Sequence, residues 1–241
     1  MTRMASTPDP PIAWPASSYP PAVTQGHPFI MYAPGPRALR ARLPRYLRPG
    51  LRVLDIGCGI GIGACHLAAS GARGLTYTGV DPDPSACRQA RNVLQALSGD
   101  QIQGQIAERS LQEHLDARPP AVDLILWTYS FHDCVDVTAE DSHAAVCAAI
   151  AALLRPGGHL ILLDAGFAPG ATADEVERTY AYMEKIIGHS DRGRYFPHGE
   201  IARLLTGAGL TLLEEQDLPL VALAGYLGLR HARAVLLVLG R

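Results

Sequence analysis

The chain has little net charge, few aromatic residues and no paired cysteines. Its 21 Lys and Arg against 23 Asp and Glu leave a formal net charge of -2, which gives no general attraction to nucleic acid or to an anionic membrane. The five cysteines, Cys58, Cys65, Cys87, Cys134 and Cys147, are odd in number and form no CxxC pair. Neither a disulfide framework nor a zinc ribbon is therefore expected, and the thiols read as reduced. No run approaches the roughly 18 apolar residues of a membrane span, and the opening MTRMASTPDPPIAWPASSYPP lacks the apolar core of a signal peptide. A cytoplasmic protein is expected. The phosphate-loop pattern GxxxxGK followed by Ser or Thr is absent, so a triphosphate site is unsupported. No HxH or HExxH spacing groups His132, His189 and His198 into a metal site, and no metal is expected.

What is present fits one full hydrophobic core, with 241 residues of which 48% are hydrophobic. Residues 1–36 are rich in Pro, Ser and Thr but carry Trp14, Tyr19, Phe29 and Tyr32, and read as an N-terminal arm that docks on the body as a lid. Residues 37–241 form the main domain. Within PRALRARLPRYL, helical spacing puts Leu39, Leu43, Tyr46 and Leu47 on one face; Arg37, Arg40 and Arg45 read as solvated, and Pro44 should interrupt the helix.

Further along, apolar patterning alternates regularly. Strands are predicted at 52–56, 77–80, 102–107, 122–127 and 159–163, and helices at 63–70, 84–97, 142–154 and 173–187. Ala86, Ala90, Val93, Leu94 and Leu97 share a helix face, as do Val146, Ala149, Ile150 and Leu153. Strand and helix in turn predict an α/β protein with a doubly wound, mostly parallel sheet. A helix over 199–208 and two strands, 210–214 and 232–239, read as an antiparallel hairpin added to the sheet edge.

The stretch VLDIGCGIGIG sets Gly57, Gly59, Gly61 and Gly63 at every second position directly after a buried strand. Glycines at a strand-to-helix turn permit tight dihedrals and let a ligand approach the backbone. The spacing is not GxGxxG, which disfavours a nicotinamide cofactor. Asp81, ending the next strand in TGVDPDP, is placed to accept hydrogen bonds from a ribose diol, the competing reading being a cap for the helix near Pro84. Ligands of parallel sheets bind outside the carboxyl ends of the strands, so chemistry is expected on residues 128–133, TYSFHD. His132 is the candidate general base, and Tyr129 the reserve.

VLDIGCGIG, TGVDPDPSACRQA, VDLILWTYSFHD and LLRPGGHLIL, in that order and at these intervals, resemble the successive motifs of class I S-adenosylmethionine-dependent methyltransferases. The resemblance implies a Rossmann-like, seven-stranded sheet with an antiparallel C-terminal strand, and S-adenosyl-L-methionine as cofactor. It places Gly57, Cys58, Gly59 and Gly61 under the methionine part, Cys58 as a small filler, with Asp55 near the ammonium. Asp81 falls to the ribose, and Pro82 and Asp83 lie beside the adenosine with Thr128 nearby. Where the family commonly has an adenine-binding Asp, this chain has Arg109-Ser110-Leu111; Ser110 and Leu111 are expected to take that place, with Glu108 the alternative.

The acceptor pocket is expected from the arm and a cap over 165–198, with Tyr32, His132, Arg194, Tyr195 and His198 facing a small molecule. Methyl transfer to an O, N or C atom is the leading function. A non-methylating cyclisation or rearrangement, or a non-catalytic binding subunit, are the alternatives. No nucleic-acid or membrane partner is expected, and the protein is expected as a monomer or homodimer.

Overall fold

The structure, a computed structural model, describes residues 33–99, 101–135, 140–187, 196–197, 199–220 and 230–241. A single sheet organises them. Its strands are β1 (Arg52–Ile56), β2 (Leu75–Asp81), β3 (Ile102–Glu108), β4 (Val122–Thr128), β5 (Leu154–Phe167), β6 (Phe196–Pro197), β7 (Thr211–Pro219) and β8 (Ala232–Gly240). Seven run in the order β3-β2-β1-β4-β5-β8-β7, and the two-residue β6 pairs with β5. Strands β1 to β5 are mutually parallel, and β8 runs antiparallel between β5 and β7. The expected mostly parallel, doubly wound sheet with its antiparallel C-terminal addition is what forms.

Eight α-helices lie among the described residues: α1 (Pro34–Arg42), α2 (Ile62–Ala69), α3 (Pro84–Ala96), α4 (Leu111–Asp116), α5 (Phe131–Cys134), α6 (Glu140–Leu153), α7 (Ala173–Ile187) and α8 (Glu200–Gly207). Side chains alternate across each strand, so neighbours in sequence enter opposite cores. Val53, Tyr77, Leu124, Ile161 and Leu236 join Leu39 and Leu67 on one face. Leu54, Ile125, Leu162 and Leu237 join Phe131, Ile150 and Leu205 on the other. The central strands are buried almost throughout because both faces are covered, whereas the edge strand β7 alternates exposed and half-buried positions.

Arg40 of the first helix corrects the sequence reading, while Arg37 and Arg45 are exposed as expected. Arg40 is buried with its guanidinium 3.4 Å from Nδ1 of the buried His66. Arg45 and Arg42 reach Glu214 of β7, at 3.3 and 3.2 Å, and Tyr46 donates its hydroxyl to the same carboxylate at 2.6 Å. A helix whose apolar face is Leu39 and Leu43 must lie flat on the sheet, which brings its flanking cations against α2 and β7. Pro44 acts as expected: α1 stops at Arg42 and residues Leu43–Arg45 form a 3-10 turn.

Candidate functional site

Order reverses between β1, which leads outward to β2 and β3, and β4, which leads to β5. The crevice outside the carboxyl ends of β1 and β4 is therefore the topological switch point of the sheet, the place where open α/β sheets hold ligands. The glycine loop after β1 and residues 129–132 after β4 both open into it. Ser130 joins them, donating its hydroxyl to the Ile56 carbonyl at 2.8 Å.

Each glycine of the loop has its own cause. Gly57 has φ of +61°, and a Cβ there would lie 2.3 Å from Ser130 Oγ. Gly59 also has positive φ, yet a Cβ there would meet nothing within 4 Å, so space above it is open to a ligand. Gly63 lies in the first turn of α2 against Asp55, whose Oδ2 would be 2.1 Å from a Cβ. Cys58 is buried, and its Sγ fills the room left by the missing side chain of Gly79, consistent with a small filler.

Two carboxylates bracket this loop. Asp55 is fully buried and accepts the Tyr77 hydroxyl on Oδ2 at 2.5 Å, while Oδ1 has no hydrogen-bond partner among the described residues. Burial foremost pushes its carboxyl up to about 7, with the Tyr77 hydrogen bond pulling down and the Asp81 charge adding to the rise. Asp81 accepts from the Gly59 backbone N–H on Oδ2 and from Asp83 N–H on Oδ1, both at 2.9 Å. It does not cap the next helix. Asp83 does that, accepting from Ser85 N–H at 2.7 Å with Pro84 in the first turn. Asp83 thus has a structural reason of its own to stand there, next to exposed Pro82.

Ser110 sits beyond β3 as the N-cap of α4. It accepts from Glu113 N–H at 3.2 Å, and Glu113 Oε2 accepts from the Ser110 hydroxyl and backbone in return. This capping box explains why a serine stands there. Leu111 is buried beneath it, and Glu108 pairs with Arg91 at 3.1 Å.

At the end of β4, half-buried Thr128 pairs in register with Leu163, and Tyr129 turns with φ of +55°. Positive φ in a non-glycine residue is costly and concentrates at functional sites. The turn is held by Tyr129 N–H donating to Leu163 O at 2.7 Å. Its hydroxyl, which burial raises above the ordinary tyrosine range, has no hydrogen-bond partner among the described residues and lies where a Cβ on Gly35 of α1 would be 2.7 Å away. Phe131 packs on Trp127 and Phe196 at centroid distances of 4.8 and 5.2 Å and seats the short α5.

His132 has a partner that the sequence reading missed. Its Nδ1 is 2.7 Å from Asp164 Oδ1, its backbone N–H donates to Asp164 Oδ2 at 3.2 Å, and Ala165 N–H donates to Oδ1 at 2.7 Å. Asp164 is wholly buried near the end of β5, and adjacent Asp133 lies 3.7 Å from Nε2. A signal existed: in LILLDAG an acid ends a purely apolar strand, as Asp55 does in VLDIG. Tyr77 and Ser130, also unremarked, gave none, since their roles come from cross-strand and cross-loop proximity.

Of the expected acceptor-side residues, Tyr32, Arg194, Tyr195 and His198 lie outside the described residues. The cofactor-side residues and Tyr129 and His132 gather at the carboxyl ends of β1 to β4. No group of three or more potential metal ligands occurs among the described residues.

Comparison with known proteins agrees with this geometry. The family model described as a methyltransferase domain matches residues 32–215. The ubiquinone biosynthesis O-methyltransferase of Methylocella silvestris is 29% identical over 197 residues, 78% of this chain and 68% of that protein. An S-adenosyl-L-methionine-dependent Diels-Alderase of Talaromyces variabilis is 33% identical over 184 residues, covering 71% of this chain and 57% of that protein. The chain spans between 57% and 68% of the length of these two relatives. The cyclopropane synthase MmaA2 of Mycobacterium tuberculosis shares the fold at a TM-score of 0.65 and 15% identity, over 85% of this chain and 83% of that one. The glycine loop bracketed by Asp55 and Asp81, the strand order and the matched family model lead to one conclusion: this chain belongs to the class I S-adenosylmethionine-dependent methyltransferase family.

Proposed function

We propose that the protein transfers a methyl group from S-adenosylmethionine to a hydroxyl of a small organic acceptor, with His132 as general base. The hydrogen bond between His132 and Asp164 carries this reading. A carboxylate that accepts a hydrogen bond from Nδ1–H holds the proton on that nitrogen, which leaves the basic lone pair of the ring on Nε2 and stabilises the imidazolium once it forms. Such a pair is of use when the acceptor must lose a proton, as a hydroxyl must.

The residues present suit the cofactor. Open space above Gly59, the unsatisfied Oδ1 of Asp55 and the carboxylate of Asp81 favour a cationic ligand that carries a ribose. Gly57, Cys58, Gly59 and Gly61 would lie under its methionine part, Asp81 against the ribose, and Pro82, Ser110, Leu111 and Thr128 around the nucleoside. When bound, it supplies a methyl carbon already activated by the sulfonium. The protein then has only to align the acceptor and receive its proton. His132 Nε2 takes the hydroxyl proton as the oxygen gains the methyl, and S-adenosylhomocysteine leaves as the second product. Tyr129 orients the acceptor. The expected arm and cap, with Arg194, Tyr195 and His198, would close over the acceptor; of their spans, residues 34–36 belong to α1, and 165–167 and 196–197 to β5 and β6, so those stretches are part of the body. A cytoplasmic setting suits the thiols, since all five cysteines are free.

Incubation with S-adenosylmethionine and a panel of phenols, amines and thiols tests this. Formation of S-adenosylhomocysteine with the phenols alone is expected; turnover confined to amines or thiols would overturn the assignment of His132. The 33% identity to a Diels-Alderase supports a second reading, a cyclisation with the cofactor left intact. In that case the acceptor is converted with no S-adenosylhomocysteine formed.

A further inference from the structure

The Asp55 carboxyl is set more elaborately than a loop-supporting acid requires. It is fully buried, one oxygen accepts from the hydroxyl of equally buried Tyr77, and the first turn of α2 must carry a glycine, Gly63, to leave it room. The other oxygen is left without a partner in an interior where unpaired polar atoms are rare. The groups facing the pair do not compensate a negative charge. They are the Asp81 carboxylate of β2, the Cys58 thiol of the loop and, beside Tyr77, the Cys65 thiol of α2. Burial keeps both thiols in the neutral form. Asp81 spends its hydrogen bonds on backbone N–H groups. Two acids thus bracket the glycine loop, and among the described residues no cation forms a hydrogen bond or ion pair with either.

An arrangement of this kind distinguishes ligands by charge. S-adenosylmethionine carries one net positive charge from its sulfonium, ammonium and carboxylate, and S-adenosylhomocysteine, lacking the sulfonium, carries none. We propose that Tyr77 is a positioning residue for the cofactor's charge: it fixes Oδ2 of Asp55, leaves Oδ1 to the ligand, and makes the carboxyl release a proton when the cationic cofactor binds. The released proton passes to solvent. The product keeps the ammonium but loses the sulfonium charge, so it holds the carboxyl ionised less strongly and lets it regain part of the proton, which favours product departure over cofactor loss. A carboxyl raised by burial to about 7 is half protonated near neutrality, so the exchange falls in an accessible range. The inference rests on the cofactor reading and adds to it a role for Tyr77.

Calorimetric titration of the full chain with S-adenosylmethionine and with S-adenosylhomocysteine, in buffers of different ionisation enthalpy between about pH 6 and 8.5, tests it. Wild-type protein should release a fraction of a proton with S-adenosylmethionine near pH 7 and distinctly less with S-adenosylhomocysteine. In Tyr77→Phe the hydrogen bond that lowers the Asp55 carboxyl is gone, so protonation competes harder. If the loss of that hydrogen bond raises the carboxyl by about one pKa unit, affinity for S-adenosylmethionine should fall about fivefold at pH 7 and recover by about pH 8.5. Asp55→Asn should bind without any proton release. Equal proton release for both ligands, or a Tyr77→Phe affinity that is unchanged or equally weak at both pH values, would overturn the proposal. If neither nucleoside binds wild-type protein, the cofactor reading itself fails, a different result from binding without proton exchange.

Discussion

The hydroxyl of Ser130 donates to the carbonyl of Ile56 at 2.8 Å, and it occupies the space that a side chain on the following Gly57 would need. Across 74 positions of sequence, the loop that bears the candidate base is thereby fastened to the glycine loop proposed to hold the cofactor. Gly57→Ala should cost about 1–3 kcal/mol of stability from the left-handed backbone alone, and more from the clash with Ser130. Adding Ser130→Gly should restore part of the loss but leave the backbone share. Thermal unfolding of the single and double variants gives both terms, and a double variant no more stable than Gly57→Ala would remove Ser130 from the account.

Asp81 and Asp83, two residues apart, should fail differently. Asp81→Ala releases the Gly59 N–H and the proposed ribose contact, and should weaken cofactor binding by about 1.5–3 kcal/mol, the scale of hydrogen bonds to a charged group. Asp83→Ala removes the N-cap of α3 and should lower stability by about 1 kcal/mol with little change in cofactor affinity. Paired measurement of binding and melting on both variants separates the roles; equal binding losses would merge them.

Acid should reveal two buried groups with opposite signs. Burial, with Arg40 adding to it, holds His66 down to about 3, so the unfolded chain takes up its proton first, and stability falls as pH drops from about 6.5 toward 3. Asp55, raised to about 7, behaves inversely: its contribution is full below about 3.8 and is lost as pH rises through 7. The wild-type profile should therefore be shallow between about pH 4 and 6.5. His66→Gln should gain stability relative to wild type as pH falls through that window, and Asp55→Asn should lose it. Urea unfolding at half-unit steps reads the slopes, and parallel curves for all three proteins would contradict the opposition.

Asp164→Asn should leave cofactor affinity within about twofold and lower kcat by about 10²–10⁴ for an ordinary phenol, the range of general-base catalysis. A far more acidic phenol, ionised without help, should lose much less. That dependence on acceptor acidity distinguishes a base-orienting role from a packing role. An equal loss with every acceptor would assign Asp164 to structure.

The fold was largely legible because its signals are local. Runs such as VDLILW and LILL, apolar on both faces, fit a covered parallel strand, and the Gly-rich turn marked the crevice. Strand β5 outran its expected 159–163, reaching Phe167, because its continuation pairs with β8, and that pairing follows from the distant C-terminal segment. The site was legible to the extent that each residue lies next to a motif. Asp81 and His132 could be found that way. Asp164, Tyr77 and Ser130 act across strands, and Arg40 is buried by the docking of α1 on His66, so none follows from the pattern of its own neighbourhood.

The most direct test of methyl transfer assisted by His132 is mass spectrometry of the reaction with trideuteriomethyl-labelled S-adenosylmethionine and an accepted phenol, for wild type and His132→Ala. The label should appear on the phenolic oxygen in a one-to-one ratio with S-adenosylhomocysteine, and His132→Ala, with cofactor binding intact, should slow it by about 10²–10⁴-fold. An acceptor converted without label while the cofactor stays whole, or labelling at the wild-type rate in His132→Ala, would contradict it.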